Sequence, residues 1–329
     1  MTAQVDVVTL GESMILFQPM TEGSLTYSHL FSKSIAGAES NVAIGLTRLG
    51  KKVRWISRVG ADPFGKMILS TLAGEGIDVS HVIQDDSAPT GIYFKEFKGY
   101  GDPNVYYYRN FSAASRFSVN DIKPEWFENA RHLHVTGITP ALGAHTAEFM
   151  QEVMKLAKEK GLTVSFDPNL RRKLWSEEKA RAVLASLIPL CDIFLPGIEE
   201  AEFLLGIQDY SQCSAEFLKM GPKLVVIKLG AKGSAAFFGK QTVMVPSTPV
   251  EKVVDTVGAG DAFAAGLLSA LLNEKNPLDE ATLTVVIQDA LQRANLLGAL
   301  ATQFKGDWEG LPSLEEVELL LAGKEQFTR

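Results

Sequence analysis

Cysteine is scarce in this 329-residue chain, with Cys191 and Cys213 the only two. Two are too few for a disulfide framework, and these lie too far apart for a CxxC redox or zinc site. A reducing compartment, the cytoplasm, is therefore expected. The opening residues, MTAQVDVVTLGES, contain neither a basic segment nor a long apolar run, which argues against a secretory signal. The most apolar stretch, 262–272, is too short to span a bilayer, so no membrane partner is expected. Positive charge is also in deficit: 32 Lys and Arg against 39 Asp and Glu leave a net −7. That balance excludes nucleic-acid binding through a general basic surface. An anionic substrate would have to be held by local arginines.

What is present is an ordinary globular composition, 46% hydrophobic and 22% charged, in a chain long enough to bury a large core without metals or disulfides. An apolar run at 5–10 reads as a buried strand ending at Gly11. Helical periodicity over 38–49 stops at Gly50, a strand is expected at 53–59, and a helix at 64–73. From 133 the pattern is regular: strands near 133–135, 163–166, 192–195 and 224–228, and helices at 144–160, 177–188 and 199–205. A β-prone stretch covers 234–245, and three helices start near Gly260, Asp279 and Leu314. Alternating strands and helices predict a doubly wound, mostly parallel α/β sheet in one domain. Two β-rich pieces, about 13–35 and 90–112, interrupt the alternation. The second reads as a hairpin turning through Gly99, Gly101 and Pro103. Together they predict a small lid over the carboxyl edge of the sheet, with extension of the main sheet as the alternative. Lid strands expose edges that could pair with another subunit, so a homo-oligomer is expected.

The most informative segment is DTVGAGDAFAAGLL at 255–268. Gly258, Ala259 and Gly260 lead into an apolar helix. Small residues let the backbone approach a ligand closely, and the free N–H groups of a helix start attract anions. This is an anion hole suited to a phosphoryl group in transfer. Asp261 stands at the same helix start. A helix-stabilising acid would explain it, but a carboxylate beside a phosphate repels it. A base that deprotonates the attacking hydroxyl explains it better.

A sugar site is legible elsewhere. Asn41 offers both donor and acceptor, and Gly37 and Ala38 before it permit close backbone approach. A glycine turn opening a helix reads equally well from these residues. In the strand 105–109, Tyr107 and Arg109 share a face, and Tyr93 belongs to the neighbouring strand. They would form a wall, a hydroxyl donor and a fork for a carboxylate, or simply a half-buried aromatic ribbon. Arg171, in DPNLR after the 163–166 strand, is placed where open α/β sheets bind ligands. Two arginines are excessive for a neutral hexose and suit an acid sugar.

The 255–268 segment, together with IAGAESNVAIGLTRLG at 35–50, resembles the two signatures of ribokinase-like (PfkB) sugar kinases. The similarity runs from Val7 to about Pro312. It implies ATP and Mg²⁺, with the first signature gripping sugar and the second holding phosphate. It also implies that Lys228, Gly230 and Gly233 pass beside the nucleotide, and that Asn295 and Asn169 belong to the nucleotide side. Read alone, 228–233 is a turn between strands and Asn295 a solvated helix position. The family's Asn-x-x-Glu near the end of the 192–195 strand is here Gly197-Ile-Glu-Glu200. Glu200 is thus implied to reach Mg²⁺ through water, with glycine in the asparagine's place. Asp255 is implied near the accepting hydroxyl, and a monovalent cation near Asp255. Tyr-Tyr-Arg with DPNLR is similar to the 2-keto-3-deoxygluconate kinases within the family, which implies phosphorylation of that sugar acid's terminal hydroxyl. Fructose or ribose as acceptor, and a non-catalytic sugar-binding regulator, are the alternatives.

Two other patterns are set aside. Gly60-Ala-Asp-Pro-Phe-Gly-Lys-Met nearly matches a phosphate-binding P-loop but has Met67 where a hydroxyl is required. His132 and His134 share a strand face without a third metal ligand.

Overall fold

The computed structural model describes residues 4–21, 23–96 and 103–323. Strands β1 (Val5–Leu10), β2 (Met14–Pro19) and β3 (Phe31–Ala36) lead to helix α1 (Ala38–Arg48). Then come β4 (Val53–Ile56), β5 (Arg58–Gly60), α2 (Pro63–Gly74), β6 (Ile83–Asp85), β7 (Ile92–Glu96) and β8 (Asn104–Tyr108). The regular part is β9 (Ala130–Thr136), α3 (Ala144–Glu159), β10 (Thr163–Asp167), α4 (Glu177–Leu187), β11 (Ile193–Phe194), α5 (Ile198–Leu205), α6 (Tyr210–Met220) and β12 (Leu224–Lys228). Strands β13 (Ser234–Phe238) and β14 (Gln241–Val245) follow, then α7 (Ala259–Leu271), α8 (Glu280–Ala301) and α9 (Leu314–Leu321).

Eight strands form the main sheet in the order β14-β13-β12-β11-β10-β9-β1-β4. Pairing is parallel from β4 to β12 and antiparallel for the last two strands. Alternate residues feed two cores. Val7, Leu224 and Val226 pack with α1, α7 and α8 on one face, whereas Val8, Leu10, Val225 and Ile227 pack with α3, α4 and α6 on the other. Burial on both faces is why these strands are apolar runs rather than alternating ones.

The two β-rich interruptions do not extend this sheet. They combine into a separate four-stranded one, β3-β2-β7-β8. The connection expected to turn through Gly99 and Gly101 lies outside the described residues.

Two local expectations need correction. The single strand expected at 53–59 is divided: β4 joins the main sheet and β5 pairs with β6. The break falls at Ser57, whose buried hydroxyl donates to the Gly11 carbonyl at 2.7 Å. Helix α6 was not expected. Its buried stripe is narrow, Cys213, Ser214 and Phe217, and its start is secured by Asp209 accepting from the Ser211 and Gln212 amides. The P-loop look-alike is a capped helix start. Asp62 accepts from the Phe64 and Gly65 amides at 3.0 and 2.8 Å, so a carboxylate already occupies the place a phosphate would need. His132 and His134 are buried against Thr163 and Ser165. Burial pushes both imidazoles down to about 3, so they are neutral core residues.

Candidate active site

Helices α1 and α7 bring the two signature segments together. Gly45 makes this possible: a Cβ there would lie 2.7 Å from that of Ala265. One turn earlier on each helix, Asn41 Nδ2 donates to Asp261 Oδ2 at 2.8 Å. Asn169 Nδ2, on the loop after β10, approaches the other oxygen at 3.4 Å. Asp261 is buried, and burial pushes its carboxyl up to about 7, against the lowering effect of the Asn41 amide. A carboxyl poised near neutrality suits a general base.

Asp261 borders a cavity of ≈ 140 Å³ closed above by the four-stranded sheet. Gly37, Ala38, Asn41, Tyr93, Tyr107, Arg109 and Arg171, the residues read as a sugar site, all line it. Tyr93 and Tyr107 are direct cross-strand partners with ring centroids 5.6 Å apart. The Arg109 guanidinium lies over the Tyr107 ring at 5.5 Å. Asn41 keeps one polar atom for a ligand, because its Oδ1 has no hydrogen-bond partner among the described residues. Arg171 is exposed and makes no ion pair there. Arg109, by contrast, is buried and paired with Glu12, whose other oxygen accepts from Ser112 Oγ at 2.5 Å.

On the opposite side of the anion hole is a larger cavity of ≈ 560 Å³, within the usual range for small-molecule sites. Lys228, Gly230, Gly233, Ala259, Gly260 and Asn295 line it. Asn295 is buried and donates to the Val245 and Pro246 carbonyls at 3.1 and 3.0 Å, fixing the strand exit that forms one wall. Lys228 is ion-paired with Asp167 at 2.5 Å. Burial alone would lower its ammonium, but Asp167 and Glu200 outweigh that and raise it. A Cβ on Gly260 would lie 3.7 Å from Lys228 Nζ, so this charge stands beside the anion hole.

At the helix start, Gly258 has φ 85° and offers no side chain to cap the first turn, leaving those amides for a ligand. A Cβ there would also fall 2.2 Å from the Asp307 carbonyl oxygen. Gly258→Ala is therefore expected to cost about 1–3 kcal/mol of stability, from the strained φ and the clash together, measured by urea unfolding.

Three expected residues sit differently. Asn169 faces Asp261 and does not line the larger cavity. Asp255 does not line the smaller one. Its carboxylate accepts from Lys95 Nζ at 3.0 Å and from the Val257 amide at 3.1 Å. Glu200 caps α5 and its neighbour loop, accepting from Gly197 N and Leu170 N at 2.7 Å each. Both of its oxygens are thus engaged with backbone amides.

Four residues that sequence reasoning missed complete the site. Glu12 holds Arg109. Lys95 and Asp307 form a buried ion pair at 2.6 Å, in which burial lowers the lysine ammonium but Asp307 and Asp255 raise it further. Glu39 is buried, and burial pushes its carboxyl up to about 7. Its Oε1 accepts from Thr136 at 2.7 Å, and its Oε2 has no partner among the described residues. Only Lys95 had a usable signal, its two-residue spacing from Tyr93 on one strand face.

Comparison with known proteins decides the family: residues 4–314 match the pfkB family carbohydrate kinase model. The chain belongs to the pfkB family of carbohydrate kinases. The kinase is 42% identical to the 2-dehydro-3-deoxygluconokinase of Bacillus subtilis over 323 residues, covering 98% of this chain and 97% of that protein. Among solved structures it is similar to a putative ribokinase II of E. coli in complex with ATP and Mg²⁺, with a TM-score of 0.87 and 26% identity, covering 97% of this chain and 99% of that one. It is also similar to a double mutant of Vibrio cholerae fructokinase in its fructose-, ADP- and potassium-bound form, with a TM-score of 0.84 and 29% identity over 98% of this chain and all of that one (100%). Among the described residues of this kinase, no three His, Cys, Asp or Glu side chains gather into a metal cage, and no helix is long and apolar enough to cross a membrane.

Proposed function

We propose that this carbohydrate kinase transfers the γ-phosphoryl group of ATP to the terminal hydroxyl of 2-keto-3-deoxygluconate, giving 2-keto-3-deoxy-6-phosphogluconate, in the cytoplasm. The observation that carries the reading is the convergence of Arg109 and Arg171 on the small cavity bordered by Asp261. Two guanidinium groups in the cavity bordered by the base would hold a sugar acid by its carboxylate, with its far hydroxyl at Asp261. The similarity to a 2-dehydro-3-deoxygluconokinase over nearly the whole chain supports the same choice.

In this reading the sugar enters first, beneath the small sheet. Tyr93 and Tyr107 pack against it, and Asn41 fixes both Asp261 and a sugar hydroxyl. ATP occupies the larger cavity along Gly230, Gly233 and Asn295. Asp261 takes the proton of the attacking hydroxyl. The first-turn amides of α7, with Lys228, stabilise charge on the migrating group. Mg²⁺ brought with ATP would neutralise phosphate charge. Exclusion of water beneath the sheet keeps it from accepting the phosphoryl group. The exposed edges of the small sheet support a homo-oligomer.

The test is ADP release with ATP and Mg²⁺ against 2-keto-3-deoxygluconate, gluconate, fructose, ribose and no sugar. A preference for the keto-deoxy acid is expected. Preference for fructose or ribose would refute the acid-sugar pocket and keep the kinase. ATP turnover unaffected by any sugar in the panel would refute the acceptor class.

A further inference from the structure

Lys95 is a cation whose side chain is fully buried, at the wall of the smaller cavity. It sits on β7 of the small sheet, yet its ammonium bonds to two carboxylates outside that sheet: Asp255 Oδ2 at 3.0 Å and Asp307 Oδ1 at 2.6 Å. Each of these residues forms one wall of the turn that makes the anion hole. The other oxygen of Asp255 accepts from the Val257 amide at 3.1 Å, and the Asp307 carbonyl lies against Gly258. Tyr93, on the same face of β7, donates to Asp307 Oδ2 at 3.0 Å. One strand of the small sheet therefore grips both walls of the turn.

We infer that Lys95 is a positioning residue: an internal cation, carried by the small sheet, that holds turn 255–258 and hence the anion hole in place. The inference rests on the phosphoryl-transfer reading but not on which sugar is the acceptor. Two buried carboxylates repel one another unless a cation lies between them. Without the ammonium they would separate or take up protons, and the turn they anchor would shift. A tethered ammonium is always at its site, whereas a dissolved ion must be bound from solution. Lys95 stands beside Asp255, near which the sequence resemblance implies a monovalent cation. Potassium is bound in the Vibrio cholerae relative; this chain supplies the charge itself and does not require potassium.

The experiment uses the full chain and whichever sugar gives the fastest ADP release. Wild-type kcat is expected to agree within about twofold in tetramethylammonium and potassium buffers, too small a change to mark a lost transition-state interaction. Lys95→Met and Lys95→Ala are expected to lose about 10²-fold in kcat, the cost of an anion hole displaced by roughly 1 Å. The KM for sugar should change by less than about threefold. Methylammonium should restore the Lys95→Ala enzyme about tenfold and leave Lys95→Met unchanged, since only the shorter side chain leaves room for it. Three results would overturn the inference: variants that are folded by circular dichroism with near-normal kcat, a sugar KM that rises while kcat is kept, or strong stimulation of wild type by potassium. The last needs no variant and decides the matter should neither variant fold. Wild type without turnover on any sugar would refute the functional reading instead, since the inference here is read from ratios to wild-type turnover.

Discussion

Asp261→Asn is expected to lower kcat by about 10²–10⁴-fold, the range for loss of a general base, and at the same time to make the protein more stable at neutral pH. The two effects share one cause. Burial raises the native Asp261 carboxyl from its ordinary 3.8 to about 7, so the folded chain binds that proton more tightly than the unfolded chain does. Stability from this group is complete below about pH 4 and falls as pH rises towards 7. A three-unit shift corresponds to on the order of a few kcal/mol, which an uncharged amide would not forfeit. A residue serving only as a helix-start acid would behave in the opposite way, because its removal would lower stability and spare the rate. In wild type, kcat/KM should fall about tenfold for each pH unit below 7, since the base must be ionised in the free enzyme. A variant with near-normal kcat, or a pH profile flat from 5 to 8, would refute the assignment. The measurements are steady-state kinetics across pH and thermal melts of both proteins at pH 5 and 7.5.

Arg171→Ala is expected to lower kcat/KM for 2-keto-3-deoxygluconate by about 10²-fold and to change that for fructose little. A charge-assisted hydrogen bond to a carboxylate contributes about 1.5–3 kcal/mol. Arg171 is the arginine to remove because it is exposed and has no ion-pair partner among the described residues. Arg109→Ala would blur the result. It strands the buried Glu12 carboxylate, and breaking a buried pair on one side costs about 3–5 kcal/mol of stability. A lower melting temperature should therefore accompany lost activity in Arg109→Ala and be absent in Arg171→Ala. Equal losses on the acid and the neutral sugar in Arg171→Ala would count against recognition of a carboxylate.

The parts of this protein legible from sequence are those in which physics acts locally. The main-sheet strands are short apolar runs, the helices have caps and periodic faces, and the anion hole is a string of small residues followed by an acid. Tyr107 and Arg109 could be put on one face because strand geometry alternates. The resemblance implies Asn169 on the nucleotide side, and nothing local says that its amide turns back to Asp261. The resemblance implies Asp255 near the accepting hydroxyl and Glu200 near Mg²⁺ through water, but an oxygen's availability depends on which amides and ammonium groups the fold brings to it. Lys95 and Asp307 were missed for the same reason. Each looks like a surface charge in its own segment, and burial becomes rational only when the two are seen as partners. The division of 53–59 into two strands likewise depends on Ser57 meeting Gly11, which lies 46 residues away in the chain.

The contacts that build the site join the two ends of the polypeptide. Asn41 meets Asp261 across 220 positions, Tyr93 meets Asp307 across 214, and Lys95 meets Asp307 across 212. During synthesis from the N-terminus, the signature at 35–50 and the strands of the small sheet therefore leave the ribosome long before the partners that complete them. Lys95 has neither carboxylate of its permanent shell until residue 255 is made, and lacks the second until residue 307. Such distant pairings form slowly because loop closure precedes any reward. From residue 95 to residue 255 the nascent chain carries that lysine unpaired on a central strand of the small sheet, and that interval is when it depends most on protection from aggregation.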